Sequence, residues 1–255
     1  MVAKNQLLAV LPVEERIRVL ALCKPVQLDL TEVLCEEGRR TRYAYFPTAS
    51  FVSLIAQVDA RHSVEVGMAG NEGMLGVQLA FGLLHDPLKV VVQGAGPAWR
   101  MDADVFRSEL LSCPVLHERV HRYAAFLLGQ RAGLVACLHF HEIMPRLARW
   151  LLLSQDRAHA DAFPVTQEFL SLMLGVRRVG VTVAAGGLHR LGLIEYRRGH
   201  LRILDRPGLE AAACTCYAAE RKLWRQIMRS PRAFRTVRRP VLLGLGKQRV
   251  DNAYE

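Results

Sequence analysis

The segment from Thr166 to Ile203 places the tightest constraint on what this chain can fold into. Apolar residues recur at helical spacing between Phe169 and Leu174. Thr166 precedes them and suits a helix N-cap, because its hydroxyl can accept from the free N–H groups of the first turn. Gly175 suits the left-handed residue that ends one helix before the next begins. The pattern predicts two helices joined by a tight turn.

The second helix of this pair opens with Arg177 and Arg178. Two arginines oppose the helix dipole, which favours anions at a helix start. The arrangement becomes favourable if phosphates or guanine edges fill the space beside them. A helix-turn-helix can place its second helix in a DNA major groove, with the first residues nearest the bases. The predicted buried side of this helix carries Val181, Ala184, Ala185 and Leu188.

Two short strands around a basic turn follow the second helix, at 193–196 and 200–204. Polar and apolar residues alternate in the second strand, so one of its faces is expected to be exposed. Arginines at the tip of such a hairpin suit a wing that lies on DNA phosphates. The alternative is a helical hairpin followed by a solvated β-hairpin, without a role in DNA binding. The predicted wing contacts are Arg197, Arg198, His200 and Arg202.

Charge is segregated along the chain. Residues 1–139 hold 14 Lys and Arg against 14 Asp and Glu, whereas residues 140–255 hold 20 against 10. The whole formal excess of +10 therefore lies in the second half. This distribution is typical of a nucleic-acid-binding module joined to a neutral regulatory one.

Membrane and disulfide-rich classes are not favoured. No segment reaches the ~18 to 20 uninterrupted apolar residues of a transmembrane helix, and the start of the chain does not read as a signal peptide. The chain is expected to be soluble and cytoplasmic, without a membrane partner. Six cysteines are too sparse for a disulfide scaffold at this length.

Potential metal ligands do not form a complete set in the sequence. His117 and His121 stand four residues apart, and Cys137, His139 and His141 follow on a stretch expected to be extended. The Cys214-Thr-Cys216 pair lacks CxxC spacing and a second pair to complete a zinc site. The sequence therefore predicts no metal and no cofactor, and leaves a small-molecule effector open.

The first hundred residues predict a β barrel or sandwich. Two short helices interrupted at Pro12 come first, and short alternating segments then recur every ~8 to 12 residues with Gly, Pro and Asp between them. Between the strands lies a glycine-rich turn, 68–76, where backbone N–H groups can meet an anion. Candidate ligand contacts are Gly70, Glu72, Gly73 and Lys89. The alternative is a tight connection with no ligand.

A long apolar-periodic helix is predicted from Pro114 to about Leu138. At ~25 residues it is about 37 Å long, which exceeds the needs of one small domain. The most economical partner is the same helix in a twofold dimer. The alternative is packing wholly within the chain. A further helix, 143–157, leads through a linker at 161–164 to Thr166.

This order of elements resembles the Crp/Fnr family of bacterial transcription regulators. The resemblance rests on TQEFLSLMLGVRRVGVT with HRLGLIEYRRGHLRILDR and, more loosely, on VEVGMAGNEGMLG. It implies an α+β chain with an N-terminal β-roll (jelly-roll-like) at 1–112, a dimerisation helix at 113–139 and a winged helix-turn-helix at 140–217. A basic extension follows at 218–255. By motif position, Gly180 and Thr182 join Thr166, Arg177 and Arg178 in facing DNA.

The chain departs from the cyclic-AMP-binding members of that family. Those members carry an arginine about ten residues after the glutamate of the glycine turn, whereas 84–89 here reads Leu-His-Asp-Pro-Leu-Lys. Asp86 would repel a phosphate, and Lys89 is the candidate substitute. The sequence therefore argues against control by cyclic AMP.

The prediction is a homodimeric transcription regulator that binds double-stranded DNA and, by the resemblance, works with RNA polymerase. A rival is a sensory or scaffold protein whose winged helix binds a protein partner. An enzyme is not favoured, because no GxSxG, P-loop, Rossmann fingerprint or complete metal set is present.

Overall fold

The first half of the chain forms two antiparallel sheets that face each other. The computed structural model describes residues 4–59 and 62–229. One sheet has the order β1-β7-β3 and the other β2-β6-β4-β5. Both contribute to one buried cluster, in which Leu28 and Ala98 of the first sheet meet Val52 and Val90 of the second. The strands are β1 Lys24–Leu28, β2 Val33–Cys35, β3 Tyr43–Pro47, β4 Phe51–Gln57, β5 Ser63–Ala69, β6 Lys89–Gly94 and β7 Gly96–Asp102.

Helices flank this β-roll at both ends. Ahead of it, α1 Gln6–Ala9 and α2 Val13–Ala21 separate at Pro12, as predicted. A 3₁₀ helix, Val77–Phe81, follows the glycine turn. After the last strand comes α3 Ala103–Ser112, which Asp102 caps by accepting from the Asp104 amide at 3.0 Å.

The predicted long helix is α4, Pro114–Phe140. Its 27 residues span about 40 Å. The extended segment expected from Cys137 to His141 is wrong, because 134–140 continue the helix without Gly or Pro. The His141 amide closes the last turn by donating to the Cys137 carbonyl at 3.1 Å.

One side of α4 is covered within the chain. Helix α9, Cys216–Arg229, packs along it, and the Trp224 ring lies 5.0 Å from that of Phe126. The opposite side leaves Leu128 69% and Val135 68% exposed. Exposed residues recur along it at heptad-like spacing: Ala125, Leu128, Ala132, Val135 and His139. We call these five residues the α4 stripe.

The second half of the chain is a winged helix-turn-helix. Its elements are α5 Ile143–Ala158, β8 Ala162–Pro164, α6 Gln167–Leu174, α7 Arg178–Arg190, β9 Ile194–Arg197, β10 His200–Ile203 and α8 Arg206–Ala212. The sheet order is β8-β10-β9. The linker predicted at 161–164 is instead mostly strand β8, because its backbone pairs with β10. The α+β fold class predicted from the sequence is confirmed.

Helix α5 joins the two halves. Leu147 and Leu151 lie in one buried cluster with Ile55 and Met68 of the β-roll and with the core of the winged domain. Trp150 donates from Nε1 to the buried carboxyl of Glu65 on β5 at 3.1 Å.

Among residues 4–59 and 62–229, no single helix is long and apolar enough to cross a membrane, and only α6 and α7 taken together, across their 106° bend, pass that test. The basic extension predicted at 218–255 falls partly on α9, and its remainder at 230–255 lies outside the described residues.

Candidate nucleic-acid interface

The turn between α6 and α7 forms as its sequence predicts. Thr166 caps α6, its Oγ1 accepting from the Phe169 amide at 3.1 Å. Gly175 ends α6 in the left-handed region, with φ 61°. The two helices meet at 106°, within the range of about 90–120° that helix-turn-helix motifs adopt.

The buried side of α7 consists of the residues predicted for it. Val181, Ala184, Ala185 and Leu188 are all buried, and they share a cluster with Leu147 of α5. This packing orients the helix, so its opposite side faces solvent.

Arg177, Arg178 and Thr182 are all exposed on α7 or at its start. Arg177 occupies the N-cap position but makes no side-chain capping hydrogen bond. The first N–H groups of the helix are therefore not satisfied by a capping side chain, and they suit an anion such as a phosphate.

The structure adds two valines to this face that sequence reasoning missed. Val179 and Val183 are each 66% exposed and lie one helical turn apart. Sequence patterns normally assign apolar residues to the core, so Val179 and Val183 were not predicted to face DNA. Their exposure could have been predicted from the buried side of α7, because a helix that buries residues 181, 184, 185 and 188 turns 179 and 183 outward. Arg190 is exposed two turns further along the same side.

Gly180 is turned away from this face, which argues against its predicted DNA contact; that contact stays a prediction. A Cβ at Gly180 would lie 2.7 Å from Cδ1 of Ile143, so the residue is turned toward α5. The absence of a side chain lets α7 approach α5 closely, which is a packing role. Thr182 remains outward, but its hydroxyl donates to Oε1 of Gln167 at 2.9 Å and braces α7 against the start of α6.

The wing lies beside the start of α6. Arg198 and Gly199 both have positive φ, 49° and 78°, as a two-residue hairpin turn of the favoured kind requires. The Val165 amide donates to the Gly199 carbonyl at 2.8 Å. The Tyr196 hydroxyl donates to the Val165 carbonyl at 3.0 Å. The wing tip and Thr166 are thus held together.

The predicted wing residues present a basic surface. Arg197, Arg198, His200 and Arg202 are exposed, while Leu201 and Ile203 are buried as the alternation predicts. Within the described chain, no carboxylate lies within 4.0 Å of Arg177, Arg178, Arg190, Arg197, Arg198 or Arg202. By contrast, Arg157 and Arg206 elsewhere in the chain are paired with acids. We call these six arginines and the exposed side of α7 the basic face.

The glycine turn has its own partners instead of an open anion cradle. Glu72 forms an ion pair with Arg157 of α5, Oε1 to Nε 2.8 Å, and its Oε2 accepts from the Gly70 amide at 3.1 Å. A Cβ at Gly70 would lie 2.9 Å from Arg157 Cγ, and one at Gly73 would overlap the Tyr123 ring and hydroxyl. Both glycines therefore permit close packing of the turn against α5 and α4.

A buried charge network surrounds this turn. Glu220 of α9 accepts from Arg149 at 2.8 Å and from Gln130 at 2.7 Å, and it lies 3.7 Å from Arg157. Burial alone would lower the pKa of Arg157, but Glu72 and Glu220 hold that pKa above its ordinary value. Beside the region predicted to meet a ligand, Glu72 and Glu220 are thus paired with arginines of the chain itself, although Glu72, Arg157 and Glu220 also line a cavity of about 280 Å³.

Lys89 is not brought to the glycine turn. Its Nζ lies 3.2 Å from Glu36, so its charge is already balanced. This pairing argues against a phosphate contact by Lys89, because a neutralised ammonium attracts an anion only weakly; the contact stays a prediction.

Comparison with known proteins finds a similar domain and a similar fold. Residues 145–212 match the family of Crp-like helix-turn-helix domains. No curated protein sequence matches the chain.

Solved structures with a similar fold include FixK2 from Bradyrhizobium japonicum, with a TM-score of 0.64 and 14% identity over 75% of this chain and 98% of that one. A Crp/Fnr-family regulator from Eubacterium rectale has a TM-score of 0.63 and 13% sequence identity, over 88% of this chain and 98% of that one. The c-di-GMP-responsive regulator CLP from Xanthomonas campestris has a TM-score of 0.62 and 16% sequence identity, over 76% of this chain and 100% of that one. The chain contains a Crp-like helix-turn-helix domain and has the fold of the Crp/Fnr transcription regulators.

Proposed function

We propose that this chain is a sequence-specific DNA-binding transcription regulator of the Crp/Fnr type that acts as a homodimer. The observation that carries the proposal is the basic face: six exposed arginines without acidic partners among the described residues, arranged on a recognition helix and an adjoining wing. Such cations attract a polyanion, and their placement on a protruding helix fits a groove.

The two parts of the basic face have different tasks. Arg178 stands in the first turn of α7 and suits bidentate contact with a guanine edge, which is worth about 1–3 kcal/mol of discrimination. Val179 and Val183 suit contact with thymine methyl groups. Arg197, Arg198 and Arg202 lie on the wing, where they suit phosphates and add affinity without reading sequence.

The homodimer would form through the α4 stripe. The spacing of these residues, alternating four and three, is that of a two-helix seam. Burial of Leu128 and Val135 against a second copy of α4 would stabilise the dimer by roughly 25 cal/mol for each Å² of apolar area removed from water. Twofold pairing presents two recognition helices, which predicts a pseudo-palindromic DNA site.

The β-roll would act as the regulatory part, through contacts it already makes with α5. Glu72–Arg157 and Glu65–Trp150 join the two halves, so a signal that shifts β5 or the glycine turn would move the winged domain. The pairing of Glu72 with Arg157 favours an effector other than cyclic AMP. We assign the chain no catalytic role, and expect it to work with RNA polymerase in the cytoplasm.

A mobility-shift assay at several salt concentrations tests DNA binding. The wild-type chain should shift a selected DNA site more tightly than random DNA, and Arg178→Ala should weaken the selected site more than random DNA. Arg107→Ala on α3, distant in the sequence and partly exposed beside Asp104, is the control and should leave both unchanged. Equal losses on both DNAs would remove the specificity role of Arg178. Absence of any shift would favour the rival, a winged helix that binds protein.

Light scattering tests the dimer. Leu128→Glu should convert a dimer to a monomer, because a charge then lies in the seam. Ile17→Glu on α2 changes a side chain that is 64% exposed outside the α4 stripe, and it should leave the dimer intact. A monomeric wild type, or a dimer that tolerates Leu128→Glu, contradicts this interface.

A further inference from the structure

Four side chains with metal-binding atoms converge where α4 ends. Cys137 lies in the last turn of α4, and His141 follows directly after it. Cys214 lies in the connection between α8 and α9, and Cys216 is the first residue of α9. One donor atom from each lies within 4.8 Å of all the others.

The distances match those between ligands of one tetrahedral ion. Sγ of Cys137 lies 3.5 Å from Sγ of Cys214, and Sγ of Cys216 lies 3.6 Å from Nδ1 of His141. Around zinc, with Zn–S about 2.3 Å and Zn–N about 2.0–2.1 Å, tetrahedral geometry separates two sulfurs by about 3.8 Å and a sulfur from a nitrogen by about 3.6 Å. A disulfide bond would require an S–S distance of about 2.05 Å, which is shorter than the 3.5 Å between Cys137 and Cys214.

The backbone holds these residues in place. One helical turn separates Cys137 from His141, so both point to one side of the end of α4. The Cys214 amide donates to the Pro145 carbonyl at the start of α5, at 3.3 Å. Cys137 and Cys214 are buried, which gives the pair a protected environment.

The charges around the cluster also fit a bound cation. Three thiolates and one neutral imidazole around a divalent ion carry a net charge of −1. Arg146 is buried and donates to the Leu174 carbonyl. Burial lowers the pKa of Arg146, and negative charge on the nearby Cys137 and Cys214 sulfurs would oppose that shift. No carboxylate of the described chain lies within 4.0 Å of it. A buried guanidinium is costly without a counter-charge, and the anionic metal centre would supply one.

We propose that Cys137, His141, Cys214 and Cys216 bind one Zn²⁺ ion in a closed structural site. Four protein ligands leave no open position, which is typical of structural rather than catalytic zinc. Binding replaces the proton of each protonated thiol, so up to three protons leave as one ion enters. This proposal departs from the sequence-based prediction of no metal.

A metal here would stiffen the hinge between the two halves. Residues 141–142 separate α4 from α5, and the ion would tie the end of α4 to α9 and to the connection that precedes it, on the far side of that hinge. The orientation of the winged domain relative to the α4 stripe would then depend on metal occupancy. The binding site itself does not depend on DNA recognition, so either proposal can fail alone.

Elemental analysis of the purified full chain is the first test. After dialysis under reducing conditions, the wild type should retain one zinc per chain. Cys216→Ser and His141→Ala should weaken zinc affinity by more than roughly 100-fold, since even outer residues of metal sites are worth 10–100-fold. Cys23→Ser and the neighbouring His139→Ala are controls and should retain the metal. Zinc retained equally in all four variants overturns the assignment, as does iron in place of zinc.

Cobalt titration of the metal-free wild type gives a second readout that needs no variant. One equivalent of Co²⁺ should produce thiolate-to-cobalt charge-transfer bands together with tetrahedral d–d bands. One equivalent of Zn²⁺ should then abolish both. Only the weak spectrum of octahedral cobalt, or a Cys137–Cys214 disulfide in the protein as purified under reducing conditions, overturns the site.

Discussion

Replacing Glu65 with glutamine should remove a loss of stability that the wild-type chain suffers as pH rises. Glu65 of β5 is buried against α5, where its Oε1 accepts from Trp150 Nε1 at 3.1 Å. Its Oε2 lies 2.5 Å from the Ser53 hydroxyl, which also contacts Gln93 Oε1. One hydroxyl hydrogen cannot serve both oxygens. A protonated Glu65 satisfies all three groups, because it donates to Ser53 while Ser53 donates to Gln93.

The size of the effect follows from the pKa of this carboxyl. Burial raises the pKa of Glu65 from its ordinary 4.5 to about 8, against the opposing influence of Ser53, Arg157 and Arg149. Between these pH values, the folded chain holds a proton that the unfolded chain has released. The free energy of unfolding therefore falls as pH rises, by up to about 1.4 kcal/mol per pH unit. From pH 5 to pH 7 the loss is about 2.5 kcal/mol, and it levels off above about pH 8.

Thermal unfolding of both proteins at pH 5, 6 and 7 measures the effect. The difference between wild type and Glu65→Gln isolates this group, because the remaining residues titrate alike in both. At roughly 2–4 °C per kcal/mol for a chain of this size, the Tm of Glu65→Gln minus that of the wild type should rise by about 5–10 °C between pH 5 and pH 7. Glu37→Gln, at an exposed turn, should show no such gain. A Tm difference for Glu65→Gln that stays constant with pH would refute the neutral carboxyl.

Three further substitutions test other parts of the account. Gly73→Ala should lower the free energy of unfolding by about 2 kcal/mol or more, since its Cβ would overlap Tyr123. Gly133→Ala has open space on α4 and should raise the free energy of unfolding by up to about 1 kcal/mol. Equal effects of the two substitutions in chemical denaturation would contradict this packing. Thr166→Ala should cost about 1 kcal/mol through loss of the α6 cap, and an unchanged unfolding midpoint would argue against that cap. Arg202→Ala should reduce the slope of log affinity against log salt by about 1 while preserving sequence preference, and a changed preference in a binding titration would contradict a phosphate role.

The helix-turn-helix was predictable because its determinants are local. The cap at Thr166, the left-handed Gly175 and the periodic core of α7 all act within a few residues of chain. The same local reasoning did not reveal that Gly180 is turned toward α5, since motif position does not say which side of a helix meets α5. It also passed over Val179 and Val183, because an apolar residue on a DNA-facing surface looks like a core residue until the core is known.

The rest depended on residues that meet only in the folded chain. Glu72 and Arg157 are 85 positions apart in sequence, and Cys137 and Cys214 are 77 apart. Sequence reasoning treated Glu72 as available to a ligand and the Cys214–Cys216 pair as incomplete. In each case the missing partner, Arg157 or Cys137, lies on a helix whose position is set by long-range packing. The periodicity of the sequence does not encode that packing.

The most direct test of the central claim is selection of bound DNA from a random pool by the full-length chain. If two copies of α7 are presented by a twofold dimer, the enriched sequences should form an inverted repeat. Its half-sites should lie about 10–10.5 base pairs apart, centre to centre, or a multiple of that distance. Enrichment of a single half-site, or no enrichment over the starting pool at moderate salt, would contradict the account.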